Sequence, residues 1–494
     1  MGAREPAEGS SPPGTEGPER GAPEPGLPTP ASSRPPDEHD PERRAFFREL
    51  GRQAITTVGH VAALTDVMGR GTAAAASLLG VDLREPPRTP TRPAPSATPR
   101  LSRPPASQAA AGPGDDTYRS PYRLDGDVLR LLDQRRIPDA LEELTCRRGS
   151  DVAYYLRIGA CRGGPLMAQV AAYGIALTAR ERQEQPHAAR QAEARRTRNA
   201  LLSARPSSRL LAWAVGRMAA VAGGFGEDSE GAQVAAALRY EADAIAGRIQ
   251  LDHAAMTRHL VDALSEGAPE QPLTVLVHGD PGCLWGGLVG PGIAALKRLS
   301  EGGHTLRIFV TETRPFLDGA RLAAWELRQA GLAHQVIPDA AVAWLLEREA
   351  VNAVLVGAEW IAANGDVAAV VGSRGVALLA AADGRSRVIA LGMSATIELS
   401  APDGAAIPTE MRPAREMTAF QHGTSTSTAV LNPATDVIPA AALGALITEV
   451  GIIAPVTSEA LSTAVSTAVS ATAQVANDPA TATLATQAVE ATAS

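Results

Sequence analysis

From residue 273 to residue 391 the sequence alternates short apolar runs with longer segments whose apolar side chains recur every three or four residues. The short runs predict buried strands, and the periodic segments between them predict helices. Repeated strand–helix units fold into a parallel sheet with right-handed crossovers and helices on both faces. We therefore predict an α/β protein with a Rossmann-like doubly wound parallel sheet over residues 270–455. The predicted strands are 273–278, 306–310, 334–337, 353–356 and 387–391, and the predicted helices are 293–300, 319–330 and 340–349.

The preceding part of the chain, residues 118–269, lacks this alternation and is mostly helical in its apolar spacing. The pattern predicts a helical N-terminal domain packed on the sheet, with a ligand site in the cleft between them. The predicted helices are 151–158, 166–178, 190–202, 208–220 and 231–264.

Four flanking segments differ in composition from this folded body. Residues 1–39 are rich in Pro, Gly, Glu and Ser, which predicts disorder, and residues 84–116 form a Pro/Ser-rich linker. Between them, residues 40–80 begin with Asp40-Pro41 and carry apolar side chains at helical spacing. This predicts an amphipathic helical segment that docks on an unknown partner or on another part of the same assembly. Residues 457–494 repeat Ser, Thr, Ala and Val, and we interpret them as a low-complexity tail.

Charge and cysteine content exclude several classes of protein. The formal net charge of −8 argues against a nucleic-acid surface, which needs concentrated Lys and Arg. Three cysteines are too few for a disulfide framework and match no common zinc spacing, so we expect a cytoplasmic protein. No run of eighteen apolar residues occurs, so no membrane span is expected.

A Gly-rich segment, residues 282–292, precedes a predicted helix and could cradle a phosphate. Its glycine spacing is not that of a dinucleotide fingerprint, and no acidic residue follows at the second strand to bind a ribose hydroxyl. We therefore predict no nicotinamide cofactor, and no other cofactor.

Polar side chains follow two of the predicted strands at their carboxyl ends, where open parallel sheets bind ligands. Asp280 follows the first strand, and Glu359, Asn364 and Asp366 follow the fourth. If the three carboxylates converge, their repulsion raises at least one pKa and creates a usable acid. They could instead hold a divalent cation, or form only ordinary loop hydrogen bonds. We predict no metal.

Seven sequence blocks occur in order along the folded body: LLDQRRIP (131–138), RGGP (162–165) with AAYG (171–174), ARP (204–206) with WAV (213–215), HGDPGCL (278–284), ETRP (312–315) with GARL (319–322), VGAEWIAANGD (356–366) and NPATDV (432–437). Together they resemble the methylthioribose-1-phosphate isomerase family. That family is related to ribose-1,5-bisphosphate isomerases and to the regulatory subunits of the eukaryotic exchange factor for translation initiation. The resemblance spans about residues 124–455 and implies a homodimer that binds a sugar phosphate.

The isomerases of that family convert an aldose 1-phosphate into a ketose 1-phosphate, and the resemblance implies this reaction. Glu359 occupies the position of the family's catalytic Asp and is predicted to be the acid. The position of the catalytic Cys holds Gly279, which has no side chain to transfer a proton. Cys283, four residues further on, is a candidate for a displaced thiol, and Cys161 is another. A small buried apolar side chain is the alternative interpretation for a free cysteine.

The resemblance also implies a group of substrate contacts. Arg162, Gly163 and Gly164 match the family's Arg-Gly-Ala, and Arg205 matches another contact to the phosphosugar. Asp318 stands at the position of a substrate-contacting Gln. The alternative interpretations are a structural ion pair for Arg162, a tight turn at the glycines and a solvated side chain for Arg205.

These departures leave two functional predictions. The first is an aldose–ketose isomerase acting on methylthioribose 1-phosphate or a related pentose 1-phosphate. The second is a catalytically degenerate paralogue that binds a sugar phosphate or a nucleotide and has an assembly or regulatory role. The retained blocks 162–165 and 362–366 favour a working ligand site, whereas the added flanking segments favour the second prediction.

Overall fold

The computed structural model describes residues 120–266, 272–418 and 429–476. The segments predicted as disordered (1–39), amphipathic (40–80) and linker (84–116) lie outside the described residues, as do residues 477–494 of the predicted tail.

The described chain begins with a small antiparallel sheet that the sequence pattern did not predict. Its strands pair in the order β1 (Tyr122–Asp125), β2 (Val128–Leu132) and β3 (Glu143–Cys146). Each strand is four or five residues long and mixes polar with apolar side chains, so the alternating pattern is too short to detect. The region predicted as helical therefore also contains a sheet.

Five helices follow, at the places where helical apolar spacing predicts them. They are α1 (Gly149–Arg157), α2 (Gly164–Glu181), α3 (His187–Ala204), α4 (Arg209–Gly223) and α5 (Gly231–Ser265). α2 is the central helix, because 14 of its 18 residues are buried and it packs against the other four. It begins with Gly164 and Pro165, and proline is favoured at a first helical turn.

Seven strands form the main sheet, in the order β14–β13–β10–β7–β4–β5–β6. All neighbouring pairs are parallel except β13 with β14, and the five predicted strands are confirmed. Continuous apolar runs made them predictable, because strands of a parallel sheet are buried on both faces. The strands are β4 (Leu273–His278), β5 (Leu306–Thr311), β6 (His334–Ile337), β7 (Ala353–Gly357), β10 (Arg387–Leu391), β13 (Ala445–Thr448) and β14 (Gly451–Ile453).

The main sheet separates two hydrophobic cores. Val275 and Val277 of β4 join the core shared with the N-terminal helices, and Leu276 between them joins the core on the opposite face. The helices that cover the sheet are α6 (Cys283–Gly286), α7 (Pro291–Glu301), α8 (Ala324–Gln329) after a π-helical turn at Gly319–Ala323, α9 (Val342–Arg348) after a 3₁₀ turn at Asp339–Ala341, and α10 (Ser373–Asp383). None of the helices in the described part of the chain combines the length and apolar character that a membrane crossing requires.

A second sheet is built from four short strands. Its order is β11 (Ile397–Glu398), β8 (Trp360–Ala362), β9 (Val367–Val370) and β12 (Thr435–Ile438). Of these strands, β8 and β9 follow β7 in the chain, and β11 follows β10. A short helix, α11 (Arg415–Thr418), and 3₁₀ turns at Ser394–Thr396, Gly404–Ala406 and Ala440–Ala442 complete this region. The sequence stretch 356–366 therefore leaves the main sheet and enters a hairpin of the second one.

The predicted low-complexity tail begins as a helix, α12 (Ser458–Ala476). Leu461 and Ala464 of this helix are buried in the core that contains Leu276, on the face of the main sheet opposite the N-terminal helices; we call this the second core. The spacing of three residues between them places both side chains on one helix face. The repeats of Ser, Thr, Ala and Val thus include a docked, amphipathic segment.

Candidate active site

The carboxyl ends of β7, β4 and β5 border a cavity at a point where the strand order reverses. β5 and β6 extend the sheet on one side of β4, and β7 and β10 extend it on the other. Ligands bind at such switch points in open α/β sheets. The cavity is lined by Gln134, Arg162, Gly163, Arg205, Ser207, His278, Gly279, Asp280, Leu284, Trp285, Asp318, Leu322, Gly357, Glu359, Val370, Ala434 and Thr435.

The Glu359 carboxylate lies at the amino end of α2. Its Oε1 accepts a hydrogen bond from the Gly164 N–H at 3.1 Å and another from Trp285 Nε1 at 3.3 Å. A Cβ atom on Gly164 would lie 2.6 Å from Glu359 Oε2, so a glycine is required for this close approach. Desolvation raises the pKa of Glu359, although Arg205, the two hydrogen bonds and Arg162 oppose that rise. A carboxyl group in this setting is suited to hold and deliver a proton.

Gly163 and Trp285 are in close backbone contact. The φ angle of Gly163 is +97°, and a Cβ atom there would lie 2.4 Å from the backbone oxygen of Trp285. The Trp285 indole stacks on the His253 imidazole, with ring centroids 5.7 Å apart and planes inclined by 8°. Burial lowers the pKa of His253 to about 4, so the imidazole is neutral near pH 7. Gly163 and His253 together fix the indole that donates to Glu359.

Arg162 is paired within the protein. Its Nη2 donates to Asp318 Oδ2 at 3.0 Å, and its guanidinium lies 3.8 Å from the centroid of the Phe316 ring. The predicted substrate contacts Arg162 and Asp318 therefore meet, with side chains only 17% and 12% exposed. The predicted structural ion pair is present, and a phosphate in the cavity would compete with Asp318 for the same guanidinium.

Arg205 belongs to a buried network of alternating charges. Its Nε donates to Glu410 at 3.3 Å, and Glu410 also accepts hydrogen bonds from Ser207 and from Arg412, each at 2.8 Å. Arg412 in turn donates to Glu416 at 2.6 Å. Burial alone would raise the pKa of Glu410, but Arg205 and Arg412 outweigh it and lower that pKa to about 2. The network fixes Arg205 at the cavity wall.

Asp280 reaches the cavity from the loop after β4. Its Oδ1 accepts a hydrogen bond from the Gly282 N–H at 3.0 Å, whereas its Oδ2 is buried and has no partner among the described residues. Burial and the neighbouring Glu326 carboxylate raise the pKa of Asp280 well above its usual range. Glu326 accepts the N–H groups of Cys283 at 2.7 Å and Leu284 at 2.6 Å, and so holds the loop that follows Asp280.

Gly279 has a backbone conformation that favours glycine. Its φ angle is +86°, and its N–H donates to Thr313 Oγ1 at 3.0 Å. A Cβ atom there would lie 3.3 Å from Val370 Cγ1. The local backbone at Gly279 thus disfavours any side chain.

The Cys283 thiol does not line the cavity. Its Sγ lies 3.8 Å from the backbone oxygen of Leu288. Burial, followed by the charge of Glu326, raises the pKa of Cys283 to about 12, so the nucleophilic thiolate is scarce near pH 7. This geometry corrects the prediction of a displaced catalytic thiol and favours the alternative of a small, partly buried side chain.

Asn364 and Asp366 lie in the turn between β8 and β9 and are absent from the cavity wall. The Asp366 carboxylate accepts hydrogen bonds from Asn364 Nδ2 at 3.0 Å and from the N–H groups of Gly404 at 3.0 Å and Ala440 at 2.9 Å. These bonds join the hairpin to two neighbouring turns. Both residues therefore form loop hydrogen bonds, which was the alternative to a shared acid or a cation site.

The possible convergence of Asp280, Glu359 and Asp366 does not occur, because Asp366 lies in the turn between β8 and β9. Asp280 and Glu359 line the cavity, and Asp318 lines it in place of Asp366. Within the described ranges, no group of three or more His, Cys, Asp or Glu side chains is placed to hold a metal ion.

Sequence reasoning missed several residues that shape this site, chiefly Trp285, Glu326 and Glu410. Trp285 carried a usable signal, because it is an aromatic side chain in a Gly-rich loop directly after a buried strand. Glu410 carried none, since it bonds to Arg205 from a position 205 residues away in the chain.

Every residue of the cavity wall except Gln134 falls within a stretch that a known protein family shares. The family described as "Initiation factor 2 subunit family" matches residues 160–455, which include Gly163 and Gly164 at the start of α2 and the whole main sheet. The chain belongs to the initiation factor 2 subunit family.

The initiation factor 2 subunit family includes relatives with enzyme names. A protein of Herpetosiphon aurantiacus named methylthioribose-1-phosphate isomerase is 36% identical over 349 residues, which cover 70% of this chain and 96% of that protein. A protein of Anaeromyxobacter with the same name is 37% identical over 66% of this chain and 91% of its own length.

Solved structures of the family include both an enzyme and a translation factor. The 5-methylthioribose 1-phosphate isomerase of Pyrococcus horikoshii superposes with a TM-score of 0.62 at 25% identity, covering 72% of this chain and 98% of that one. Subunit delta of translation initiation factor eIF-2B from A. fulgidus superposes with a TM-score of 0.56 at 27% identity, covering 68% and 96%. Because one fold carries both names, the residues of the cavity must decide the function.

Proposed function

We propose that this protein is an aldose–ketose isomerase that converts methylthioribose 1-phosphate, or a closely related pentose 1-phosphate, into the ketose 1-phosphate. The observation that carries the proposal is the Glu359 carboxyl, held by Gly164 and Trp285 in a cavity that also presents Arg162 and Arg205. The likeness to proteins named methylthioribose-1-phosphate isomerase over 96% and 91% of their length supports the choice of substrate.

The reaction begins with ring opening, because the phosphate on C1 keeps the sugar ring closed. Glu359 donates a proton to the ring oxygen as the bond from C1 to that oxygen breaks. Desolvation raises the pKa of Glu359 and so increases the protonated fraction that can act as this acid. A dry site also protects the open-chain intermediate from water.

Arg162 and Arg205 bind the phosphate in this proposal. Both guanidinium groups line the cavity, and each already contacts a carboxylate, Asp318 or Glu410. The phosphate shares or displaces Asp318 at Arg162, whereas Arg205 stays anchored by Glu410 while it contacts the ligand. Guanidinium groups bind phosphate oxygens through paired, charge-assisted hydrogen bonds.

Phosphorus and carbon NMR of the purified protein with methylthioribose 1-phosphate tests the reaction directly. We expect the ketose 1-phosphate to appear with wild-type protein and turnover to fall about 10²–10⁴-fold in Glu359→Gln, whose side-chain oxygen can still accept from the Gly164 N–H. Glu143→Gln, on the exposed edge of the small N-terminal sheet, is the matched control with wild-type turnover. Full activity in Glu359→Gln would show that Glu359 is not the acid. A lack of turnover by the wild-type protein would show that it does not catalyse this reaction.

A sugar-phosphate-binding protein without turnover is the second candidate, because Gly279 offers no side chain and neither Cys161 nor Cys283 lines the cavity. Calorimetric binding of a sugar phosphate that Arg162→Ala abolishes, together with no product by NMR, would favour this candidate. A ligand screen across sugar phosphates and nucleotides would then identify what is bound.

A homodimer, a cytoplasmic location and a partner for residues 40–80 are further proposals, and the dimer follows from the family resemblance. Light scattering of the full chain tests the dimer. Comparison with a chain that begins at residue 117 tests whether residues 40–80 alter the assembly.

A further inference from the structure

The isomerisation proposed above requires two proton transfers. As the bond between C1 and the ring oxygen O4 breaks, O4 gains a proton. The C2 hydrogen then passes with its electron pair to C1, while the O2 hydroxyl loses its proton and the C2=O bond forms. C1 gains the two electrons that C2 loses, so no external oxidant or reductant is needed. A protein group must donate a proton to O4, and a group that reaches O2 must accept the proton released there.

The three carboxylates on the cavity wall differ in how they are bonded. Asp318 is bonded to Arg162 at 3.0 Å, and Glu359 accepts hydrogen bonds from Gly164 and Trp285. Asp280 Oδ2 and Asp318 Oδ1 are both buried without a hydrogen-bond partner in the described part of the chain, but only Asp318 is neutralised by an ion pair with Arg162. A buried polar atom left in that state is costly, and a ligand hydroxyl would remove the cost.

Asp280 and Glu359 follow neighbouring strands of the main sheet. β4 and β7 pair in parallel with His278 opposite Val356, so Asp280 and Glu359 lie two and three residues beyond that pair. Adjacent strand ends thus deliver both carboxyl groups to one cavity wall. This placement gives one sugar ring access to both groups.

We propose that Asp280 is the catalytic base that accepts the proton of the substrate's O2 hydroxyl, while Glu359 donates a proton to O4. The proposal rests on the isomerase function proposed above and assigns the second half of its proton transfer. The loop holds Asp280 in place, because its Oδ1 accepts from Gly282 and Glu326 binds the next two N–H groups. Burial and the charge of Glu326 raise the pKa of Asp280. The base therefore acts through the ionised fraction of Asp280, which binds a proton more firmly than a surface aspartate does.

Asp280→Asn tests the proposal, because the amide oxygen can keep the hydrogen bond from Gly282 while the side chain can no longer take a proton. We expect kcat to fall about 10²–10⁴-fold, with the affinity for inorganic phosphate and the melting temperature close to wild type. Asp280→Ala is expected to regain turnover as formate is added, since formate can supply the missing carboxylate. Asp125→Asn, on the exposed end of β1, is the matched control with wild-type kcat.

The outcomes separate this proposal from the proposed function. A wild-type kcat in Asp280→Asn, in an enzyme that Glu359→Gln inactivates, would overturn the role of Asp280 and leave the isomerase function standing. A low kcat accompanied by a lowered melting temperature, with no rescue of Asp280→Ala by formate, would reveal a structural role and also overturn it. A wild-type protein that fails to turn over the sugar phosphate would overturn both.

Discussion

The guanidinium of Arg162 donates a hydrogen bond to the Asp318 carboxylate at 3.0 Å, and the Phe316 ring covers its face at 3.8 Å from the ring centroid. The pair holds the proposed phosphate-binding arginine in a fixed position. It also sets a carboxylate against the incoming phosphate, because both anions bind the same donor groups. Ligand affinity therefore depends on the free energy needed to break the ion pair between Asp318 and Arg162.

Asp318→Asn should bind phosphate groups more tightly than the wild type. The amide keeps an oxygen acceptor but has no negative charge, so more of the charge of Arg162 is available to the ligand. We expect the Kd for inorganic phosphate, measured by titration calorimetry, to fall about tenfold, which corresponds to about 1.4 kcal/mol. Arg162→Ala should abolish binding in either background. Weaker binding by Asp318→Asn would show that Asp318 supports the ligand instead of competing with it.

Gly164→Ala should remove turnover without unfolding the protein. The added Cβ would lie 2.6 Å from Glu359 Oε2 and 3.3 Å from its Cδ, so the carboxyl must leave the amino end of α2. Alanine is favoured over glycine in helices, so the melting temperature should not fall substantially. A displacement of about 1 Å costs about 10²-fold in rate, which steady-state kinetics would detect.

Gly247→Ala is the matched control for this substitution, because a Cβ there meets no atom within 4 Å and the residue lies inside the long helix α5. It should keep the wild-type rate. An equal rate in Gly164→Ala would show that the position of Glu359 is not critical.

Five of the seven strands of the main sheet were predicted, because these strands carry their signal locally, whereas β13 and β14 were missed. β4 and β10 are continuous apolar runs whose bounds agree with the prediction, and helical periodicity marks the segments that cover them. The second sheet was not predicted, because strands of two to four residues between turns show too little of any period. Periodicity in a sequence thus locates long elements and misses short ones.

The sequence predicted several residues that line the cavity but not the hydrogen bonds between them. Arg162, Arg205, Asp280, Asp318 and Glu359 were each expected near the site, and all five line one cavity. The hydrogen bonds among them could not be predicted from the sequence, because they join segments that are far apart in the chain. Arg162 and Asp318, for example, are separated by 156 residues. The hairpin that carries Asp366 away from the cavity is a tertiary feature of the same kind.

Glu410→Gln should destabilise the protein at neutral pH and much less in acid. The folded-state pKa of Glu410 is about 2, against an ordinary value of 4.5, because Arg205 and Arg412 outweigh its burial. A lowered carboxyl pKa contributes stability that is present above about pH 4.5 and is lost as the pH falls toward 2. The difference corresponds to about 3 kcal/mol of unfolding free energy.

Urea denaturation between pH 2 and pH 8 would measure this contribution. The gap between wild type and Glu410→Gln should be largest above pH 5 and should narrow below it. Glu301→Gln, an exposed carboxylate at the end of α7, is the matched control and should change the unfolding free energy by less than about 0.5 kcal/mol. A gap that does not depend on pH would show that the loss comes from packing and not from the charge of Glu410.

Leu461→Ala should destabilise the folded body although Leu461 lies in a repetitive, Ser- and Thr-rich segment. Its side chain is fully buried in the second core, so truncation leaves a cavity that costs about 2–5 kcal/mol. Val469 of the same helix is 64% exposed, and Val469→Ala should change stability by less than about 0.5 kcal/mol. The melting temperatures of both variants distinguish a helix that is packed on the core from a tail that makes no contact with it. Equal melting temperatures for the two variants would mean that α12 contributes nothing to the core, whereas a loss confined to Leu461→Ala would make this helix part of the enzyme's folded unit.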